Sequence, residues 1–310
     1  MATLLSIICP VHNEALCVPL FYQRLLSALE PLKDTLDVEL IFMNNRSTDG
    51  TPDAVLRLRG NDPRVQLLTL SKNVGYQASV QTGLQRAAGD VIVVIDVDCE
   101  DPPELIPAFV EEWRRGADIV YGERKNRLEP GWLTGLRRLF YRVNRLIADS
   151  DIVLDMAEFC LVTSAVRDAI LESRSTFPFV RADVAAAGFA RTGIPYDRGP
   201  RIAGESHYNL RRMTVFAVAG ILSSTTFPLR AALYALALVL PANVVWFVAR
   251  ALGSDRGFQA VVVLDLLYLC TFVAFVCLYL ARTYRNGIGR PVAFIDWRTS
   301  AFDASKRRHS

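Results

Sequence analysis

From Leu4 to Tyr121 the chain alternates short apolar runs with amphipathic helical stretches, and this alternation limits the fold more than any other feature. Leu4–Cys9, Val38–Met43, Val65–Leu70, Val91–Ile95 and Ile119–Tyr121 are almost unbroken in Ile, Val and Leu, as strands buried on both faces are. Between them Val18–Leu29, Thr51–Leu58, Gln77–Ala88 and Pro103–Arg115 carry the helical period. Strand followed by helix, repeated, predicts an α/β domain built on a mostly parallel sheet covered on both faces. Asp101, just ahead of Pro102 and Pro103, is expected to cap the fourth helix. Parallel strands place their carboxyl ends on one rim, so the segments after Pro10, Asn44, Ser71 and Asp96 are candidates for a single ligand crevice.

The Val91–Ile95 run ends in Asp96-Val97-Asp98. Alternate side chains of a strand share a face, and a turn at its end lets both carboxylates converge on one hard divalent cation. Mg²⁺, for instance, takes oxygen ligands at about 2.0–2.1 Å. Glu100 is a candidate third oxygen. Ordinary loop acids capping the next helix are the plain alternative, but a strand end in an α/β sheet is where ligands usually bind.

Composition matters most beyond residue 230. Hydrophobic residues make up 51% of the 310, and the excess over a soluble domain is concentrated in two stretches. Ala231–Ala249 holds no charged residue and Phe258–Ala281 only Asp265, so each matches the roughly 20 apolar residues of a membrane-spanning helix. Two buried core helices are the alternative, though soluble helices seldom run so long without a polar face. Pro241 is tolerable within a membrane helix, and Asp265 reads as a helix contact or a snorkelling position. Arg211, Arg212 and Arg230 precede the first stretch, and Arg282, Arg285 and Arg290 follow the second, whereas the connecting loop has only Arg250, Asp255 and Arg256. The positive-inside bias therefore places the N-terminal domain and the tail in the cytoplasm.

The expected organisation is a domain over 1–210, a juxtamembrane segment over 211–229, two transmembrane helices over 230–281 and a tail over 282–310 whose Lys306–His309 end is disordered and drawn to lipid. Thr134–Ala148, with Arg138, Arg142 and Arg145, fits an interfacial helix or a packed surface helix equally well. Met1–Val11 lacks a charged leader and reads as a first strand. A formal charge of +3 gives no reason to expect nucleic acid, and the six cysteines show no metal-ligand spacing and are expected as reduced thiols.

Four segments then stand together. They are Pro10-Val11-His12-Asn13-Glu14, Asn44 to Thr51, Asn73-Val74-Gly75-Tyr76-Gln77-Ala78, and Asp96 to Pro103. In this order and spacing the chain resembles glycosyltransferase family 2, and within it the polyprenyl-phosphate sugar transferases of the dolichyl-phosphate mannose synthase and bactoprenol glucosyltransferase kind. The likeness continues through Val120–Arg124, Gly193–Arg198 and Arg201–Tyr208 into the two apolar stretches. It implies a GT-A fold and metal-dependent, inverting transfer of a sugar from a nucleotide sugar to polyprenyl phosphate. A UDP-hexose is the favoured donor and GDP-mannose the alternative. The lipid-linked monosaccharide would serve cell-envelope glycosylation at the bacterial inner membrane, and the enzyme would be a multi-pass protein able to form homo-oligomers.

The resemblance also implies roles for residues. Asp96 and Asp98, with Glu100, would hold Mg²⁺ or Mn²⁺ against the leaving diphosphate, a Lewis-acid function. Pro10, His12 and Glu14 would meet the donor base and ribose, although His12 fits a hydrogen-bonded wall residue as well. Asn44 and Asn45 would accept a hydrogen from a uracil ring, and Asn73, Gly75 and Gln77 open a helix whose free amides favour anions. Arg124, Arg138 (or its neighbour Arg137), Arg198, Arg201 and Ser206 are candidates for the acceptor phosphate. Glu158, in Ala157-Glu158-Phe159, would face the acceptor or serve the structure. The chain departs from the family where acids give way to Asn44 and Asn45, a tyrosine to His12, a glutamine to Glu100, an arginine to Cys160 and a lysine to His207. These departures keep open a catalytically impaired member acting as a membrane scaffold. The Gln-x-x-Arg-Trp signature of processive polysaccharide synthases is absent, and the three histidines form no evident hydrolase triad.

Overall fold

The computed structural model describes residues 3–125, 156–173, 178–203, 225–253 and 257–303. Strands β1 (Thr3–Val11), β2 (Leu36–Asn44), β3 (Val65–Thr69) and β4 (Val91–Val94) alternate with helices α1 (Cys17–Leu29), α2 (Thr51–Asn61) and α3 (Tyr76–Arg86). A 3₁₀ turn at Pro103–Leu105, α4 (Ile106–Arg114), β5 (Ile119–Arg124), β6 (Met156–Thr163), α5 (Ser164–Glu172), α6 (Val180–Ala187) and β7 (Arg191–Tyr196) complete the sheet domain. The sheet order is β3-β2-β1-β4-β6-β5-β7. All pairs are parallel except the two made by β6, which runs antiparallel to both β4 and β5. The expected mostly parallel α/β sheet is present, with an antiparallel strand inserted in its middle.

Both faces of the sheet are covered. Leu5, Ile7, Phe21, Leu40, Phe42, Val93 and Phe109 pack on one face, and Ile8, Ile41, Met43, Leu68, Val80, Ile92 and Val162 on the other. This is why the parallel strands read as continuous apolar runs. Helix α3 approaches β1 so closely that a Cβ on Gly83 would lie 2.6 Å from Ile8 Cγ2, and only glycine fits there. Cys9, Cys17, Cys99 and Cys160 are buried free thiols.

The fourth helix differs from expectation at its start. It begins at Ile106, after the 3₁₀ turn, and no side chain caps either segment. Asp101 does not act as a cap because its carboxylate faces inward, toward Arg124 and Tyr196. The expected helix over Thr134–Ala148 lies outside the described residues.

Two long helices follow, α7 (Phe227–Ala251) and α8 (Phe258–Ile288). By length and composition both can cross a membrane, and almost none of their apolar surface is buried. Asn243 on α7 donates to Asp265 on α8 at 2.7 Å, so Asp265 marks a contact between the helices. Tyr279 on α8 donates to the Thr225 carbonyl just before α7, at 2.7 Å. Helix α8 runs past the expected boundary at residue 281, and the segment beyond it returns to the sheet. Leu67 pairs with Ala301 and Leu70 with Ile295, both antiparallel, so Phe294–Ala301 covers the outer edge of β3. An uncovered edge would present a row of unpaired amides and carbonyls, the usual liability of an end strand.

Candidate active site

The carboxyl ends of β1, β2, β3 and β4 share one rim, and the chain leaves it through sharp turns. Asn13, Arg46 and Cys99 have φ of 58°, 59° and 57°, each within a few residues of the end of β1, β2 or β4. Left-handed backbone in non-glycine residues is strained, and it clusters at functional sites. Gly75, with φ 86°, opens α3 from the rim after β3.

The turns after β1, β2 and β3 are knitted by amide side chains. Asn45 Oδ1 accepts the Val74 amide at 2.9 Å while its Nδ2 donates to Asn73 Oδ1 at 3.1 Å. Asn73 Oδ1 also accepts from the Gly75 amide at 3.0 Å, so its Nδ2 is the atom 3.2 Å from His12 Nε2. His12 Nε2 is therefore the acceptor, and Nδ1 carries the proton toward the Asn45 carbonyl at 3.0 Å. Asn44 Oδ1 accepts the Ser47 amide at 2.9 Å, and its Nδ2 donates to Thr69 Oγ1 at 3.3 Å. Both asparagines are buried and each uses its donor as well as its acceptor. An aspartate at either position would lose the donor, which gives a physical reason for amides in this chain.

On the far side of β1, Asp96 and Asp98 follow β4. Burial is the main cause that raises the Asp96 pKa to about 8, with Asp98, Asp101 and Glu158 adding repulsion and the nearby Tyr76 hydroxyl opposing. Burial first also raises Asp98, against lowering by the Glu100 amide, Arg201 and Arg198. Arg201 links this corner to the first turn, with Nη1 3.4 Å from Asp98 Oδ2 and Nη2 paired with Glu14. Glu100 lies beside Asp98, whose Oδ1 accepts the Glu100 amide at 3.1 Å, and its carboxylate pairs with Arg198. Continuing the β4–β6 register, in which Val94 faces Cys160, puts Glu158 opposite Asp96. Gln77 Nε2 donates to Glu158 Oε1 at 3.1 Å, and Gln77 Oε1 accepts the Val180 amide at 2.9 Å. Gln77 thus ties α3, β6 and α6 together.

A family model described as glycosyl transferase family 2 matches residues 6–173, more than half of the chain. The chain belongs to glycosyltransferase family 2. An uncharacterised glycosyltransferase of Bacillus subtilis (strain 168) is 32% identical over 94% of this chain and 92% of its own. A prophage bactoprenol glucosyl transferase homolog of Escherichia coli (strain K12) is 34% identical over 73% of this chain and 74% of its own. An undecaprenyl-phosphate 4-deoxy-4-formamido-L-arabinose transferase of Pseudomonas fluorescens (strain SBW25) is 28% identical over 94% of this chain and 88% of its own.

The glycosyltransferase brings most of its sequence-predicted residues to one rim. Pro10, His12, Glu14, Asn44, Asn45, Asn73 and Gly75 line the side of β1 toward β3, while Asp96, Asp98, Glu100, Gln77 and Glu158 lie toward β6. Arg198 and Arg201 approach from the segment after β7. Arg138 and Ser206 lie outside the described residues. Arg124 meets the same loop at Asp101, which Arg198 Nε also approaches at 3.9 Å: its Nη2 contacts both Asp101 oxygens at 3.0 and 3.2 Å and its Nε donates to the Tyr196 hydroxyl at 3.1 Å. Tyr196 in turn donates to Asp101. Arg124 thereby braces the Asp96–Asp101 loop against β5 and β7, and like Arg198 and Arg201 it is paired to an acid of this rim.

Sequence reasoning missed three participants in this transferase. Tyr76 adjoins Asp96 and, by burial first and then by the Asp96 and Glu158 charges, has its own pKa raised well above normal. Asp101 and Tyr196 hold Arg124, and no spacing rule links positions so far apart in the chain. Among the described residues no three His, Cys, Asp or Glu side chains form a ready ligand cluster. The donor chemistry still fits a hard cation, because the Asp96 and Asp98 carboxylates, one residue apart, are desolvated and Asp98 adds repulsion at Asp96.

Proposed function

We propose that this glycosyltransferase moves a hexose from a UDP-sugar to polyprenyl phosphate at the cytoplasmic face of a membrane. The single observation that carries the reading is the pairing of Asp98 with Arg201 and of Arg201 with Glu14 at the rim, which sets acids and arginines where a diphosphate and a second anion would meet. The names of the Escherichia coli and Pseudomonas fluorescens relatives support a polyprenyl-phosphate acceptor.

Asp96 and Asp98 would hold Mg²⁺ or Mn²⁺, which when bound supplies Lewis-acid stabilisation of charge on the leaving diphosphate. His12, Asn45 and Asn73 present a hydrogen-bonded wall to the base, held rigid before the donor arrives, so little ordering cost remains on binding. The amides opening α3 behind Gly75 favour phosphate oxygens. Arg201 and Arg198 orient the acceptor phosphate, whose oxygen is already anionic and attacks without a strong base. Gln77 fixes the Glu158 carboxylate opposite Asp96, where it limits how the sugar can lie. Burial of this corner strengthens each of these charge contacts.

Membrane placement is part of the reading. Leu238 and Phe247 on α7 are 77% and 69% exposed, a poor arrangement in water and a natural one in lipid. The 31 residues of α8 extend about 46 Å, beyond the roughly 30 Å of a bilayer core, so its last turns with Arg282 and Arg285 stand clear of the lipid. The return of Phe294–Ala301 to β3 supports two crossings, with the sheet and this segment on one side.

Purified protein with undecaprenyl phosphate, Mn²⁺ and a panel of UDP- and GDP-sugars tests the proposal. A sugar-phospholipid formed from a UDP-hexose supports it. Product from GDP-mannose alone would change the donor, and no product from any donor would leave the scaffold reading in its place.

A further inference from the structure

We infer that the segment returning from α8, Phe294–Ala301, is a positioning element for the nucleotide end of the donor site. The inference rests on the reading of this rim as that site. It starts from Thr69, the last residue of β3, whose polar groups are all held by the tail. The Thr69 amide donates to Ser300 Oγ at 2.9 Å, its carbonyl accepts the Asp296 amide at 2.8 Å and its hydroxyl donates to the Thr299 carbonyl at 3.1 Å. That hydroxyl is the acceptor for Asn44 Nδ2. Asn44 Oδ1 in turn holds the Ser47 amide, and Ser47 Oγ accepts the Asn13 amide at 3.0 Å. The line from Thr299 to the β1 and β2 turns is thus an unbroken series of hydrogen bonds.

A second connection reaches the same turn. Asp296 lies 3.8 Å from Arg46, the residue forced to φ 59° just after Asn45. The tail is firmly seated rather than merely close. Leu67 and Ala301 exchange both backbone hydrogen bonds at 2.9 Å, the Ser71 amide donates to the Phe294 carbonyl at 2.8 Å, and the Arg86 guanidinium lies 5.5 Å over the Trp297 ring. Ala293, Ile295 and Phe302 join the core on the α3 face of the sheet. Only the residues between Ile288 and Phe294 separate the end of α8 from this contact, a reach of at most about 20 Å. The seating of the second long helix is therefore coupled to the shape of the nucleotide pocket, and linkage requires the coupling to run both ways.

Hydrogen exchange on the full-length protein in nanodiscs, with Mn²⁺ and with or without UDP and then GDP, tests this together with two variants. UDP is expected to slow exchange both in the turns 10–14 and 44–47 and at the Asp296 and Ala301 amides. Thr69→Val keeps the side-chain volume but removes the hydroxyl, so UDP affinity should fall about threefold to tenfold and the donor KM should rise with kcat little changed. Thr69→Ser should restore both values. Slowed exchange in the two turns with none at Asp296 and Ala301, or wild-type UDP affinity in Thr69→Val, would overturn the inference alone. If neither nucleotide slows the turns, the donor-site reading falls and takes this inference with it. Should Thr69→Val fail to fold, the exchange pattern of the unaltered protein decides.

Discussion

Replacing Arg124 separates a brace from a substrate contact. Arg124 is 16% exposed at its side chain and Asp101 only 2%, and the two are joined by contacts of 3.0 and 3.2 Å from one guanidinium nitrogen. Burial alone would lower the pKa of this guanidinium, but Asp101 and Tyr196 outweigh it and hold the pKa above its usual value. Arg124→Met keeps much of the volume and leaves Asp101 charged and buried, with the nearest Arg198 nitrogen 3.9 Å away. Removing one partner of a buried pair typically costs about 3–5 kcal/mol. At about 2–4 °C per kcal/mol for a domain of this size, the sheet domain should melt about 6–20 °C lower. Asp101→Asn in the same background should recover much of the loss, because a neutral amide needs no cation. Circular dichroism melts of detergent-solubilised protein, with donor hydrolysis measured alongside, read both effects. A variant that melts like the wild type yet transfers no sugar would refute the brace and return Arg124 to the acceptor phosphate.

Three further outcomes follow from the same geometry. With Asp96 raised to about 8, the metal-free folded protein holds a proton that the unfolded chain, with a pKa near 3.9, releases above about pH 4. That contribution to stability is full below pH 4 and is lost as pH rises through 8, and the proton competes with a cation. Thermal stabilisation by Mn²⁺ should therefore grow between pH 6 and 8, and a pH-independent shift would contradict it. Asn45→Asp loses the donor to Asn73 and sets two oxygens against each other, which should cost about 1–3 kcal/mol in a thermal melt; an unchanged melt would mean the amide network is not as described. Gly83→Val forces α3 off Ile8 and should lose about 1–3 kcal/mol in denaturant titration, with wild-type stability counting against the close approach.

The parallel part of the sheet was legible because doubly buried strands leave unbroken apolar runs, as in Val91–Ile95. The strands after β5 were not. In β6 the run Phe159-Cys160-Leu161-Val162 is apolar, but Glu158 precedes it and nothing in sequence marks its direction as antiparallel. In β7, Gly193 and Pro195 disfavour a strand, and an edge position is what tolerates them. The rim residues could be grouped from their places after strands, since parallel topology gathers those ends. Which charges pair could not, because Arg201 meets Glu14 and Asp98 through a fold that joins distant segments. The tail gave no signal either, as Asp296-Trp297-Arg298-Thr299-Ser300 has no strand period. The part of it through Asp303 packs on β3 and Gln66, while Lys306–His309, expected as a disordered end, lies outside the described residues.

Transfer of labelled hexose from UDP-hexose to undecaprenyl phosphate, measured in the wild type and in Asp98→Ala across a Mn²⁺ titration after chelation, bears most directly on the metal-assisted transfer claimed for this rim. The account predicts that chelated wild type is inactive and recovers with Mn²⁺, while Asp98→Ala stays folded and membrane-bound yet inactive at every concentration. Normal turnover by Asp98→Ala, or by wild type held free of divalent ions, would contradict it.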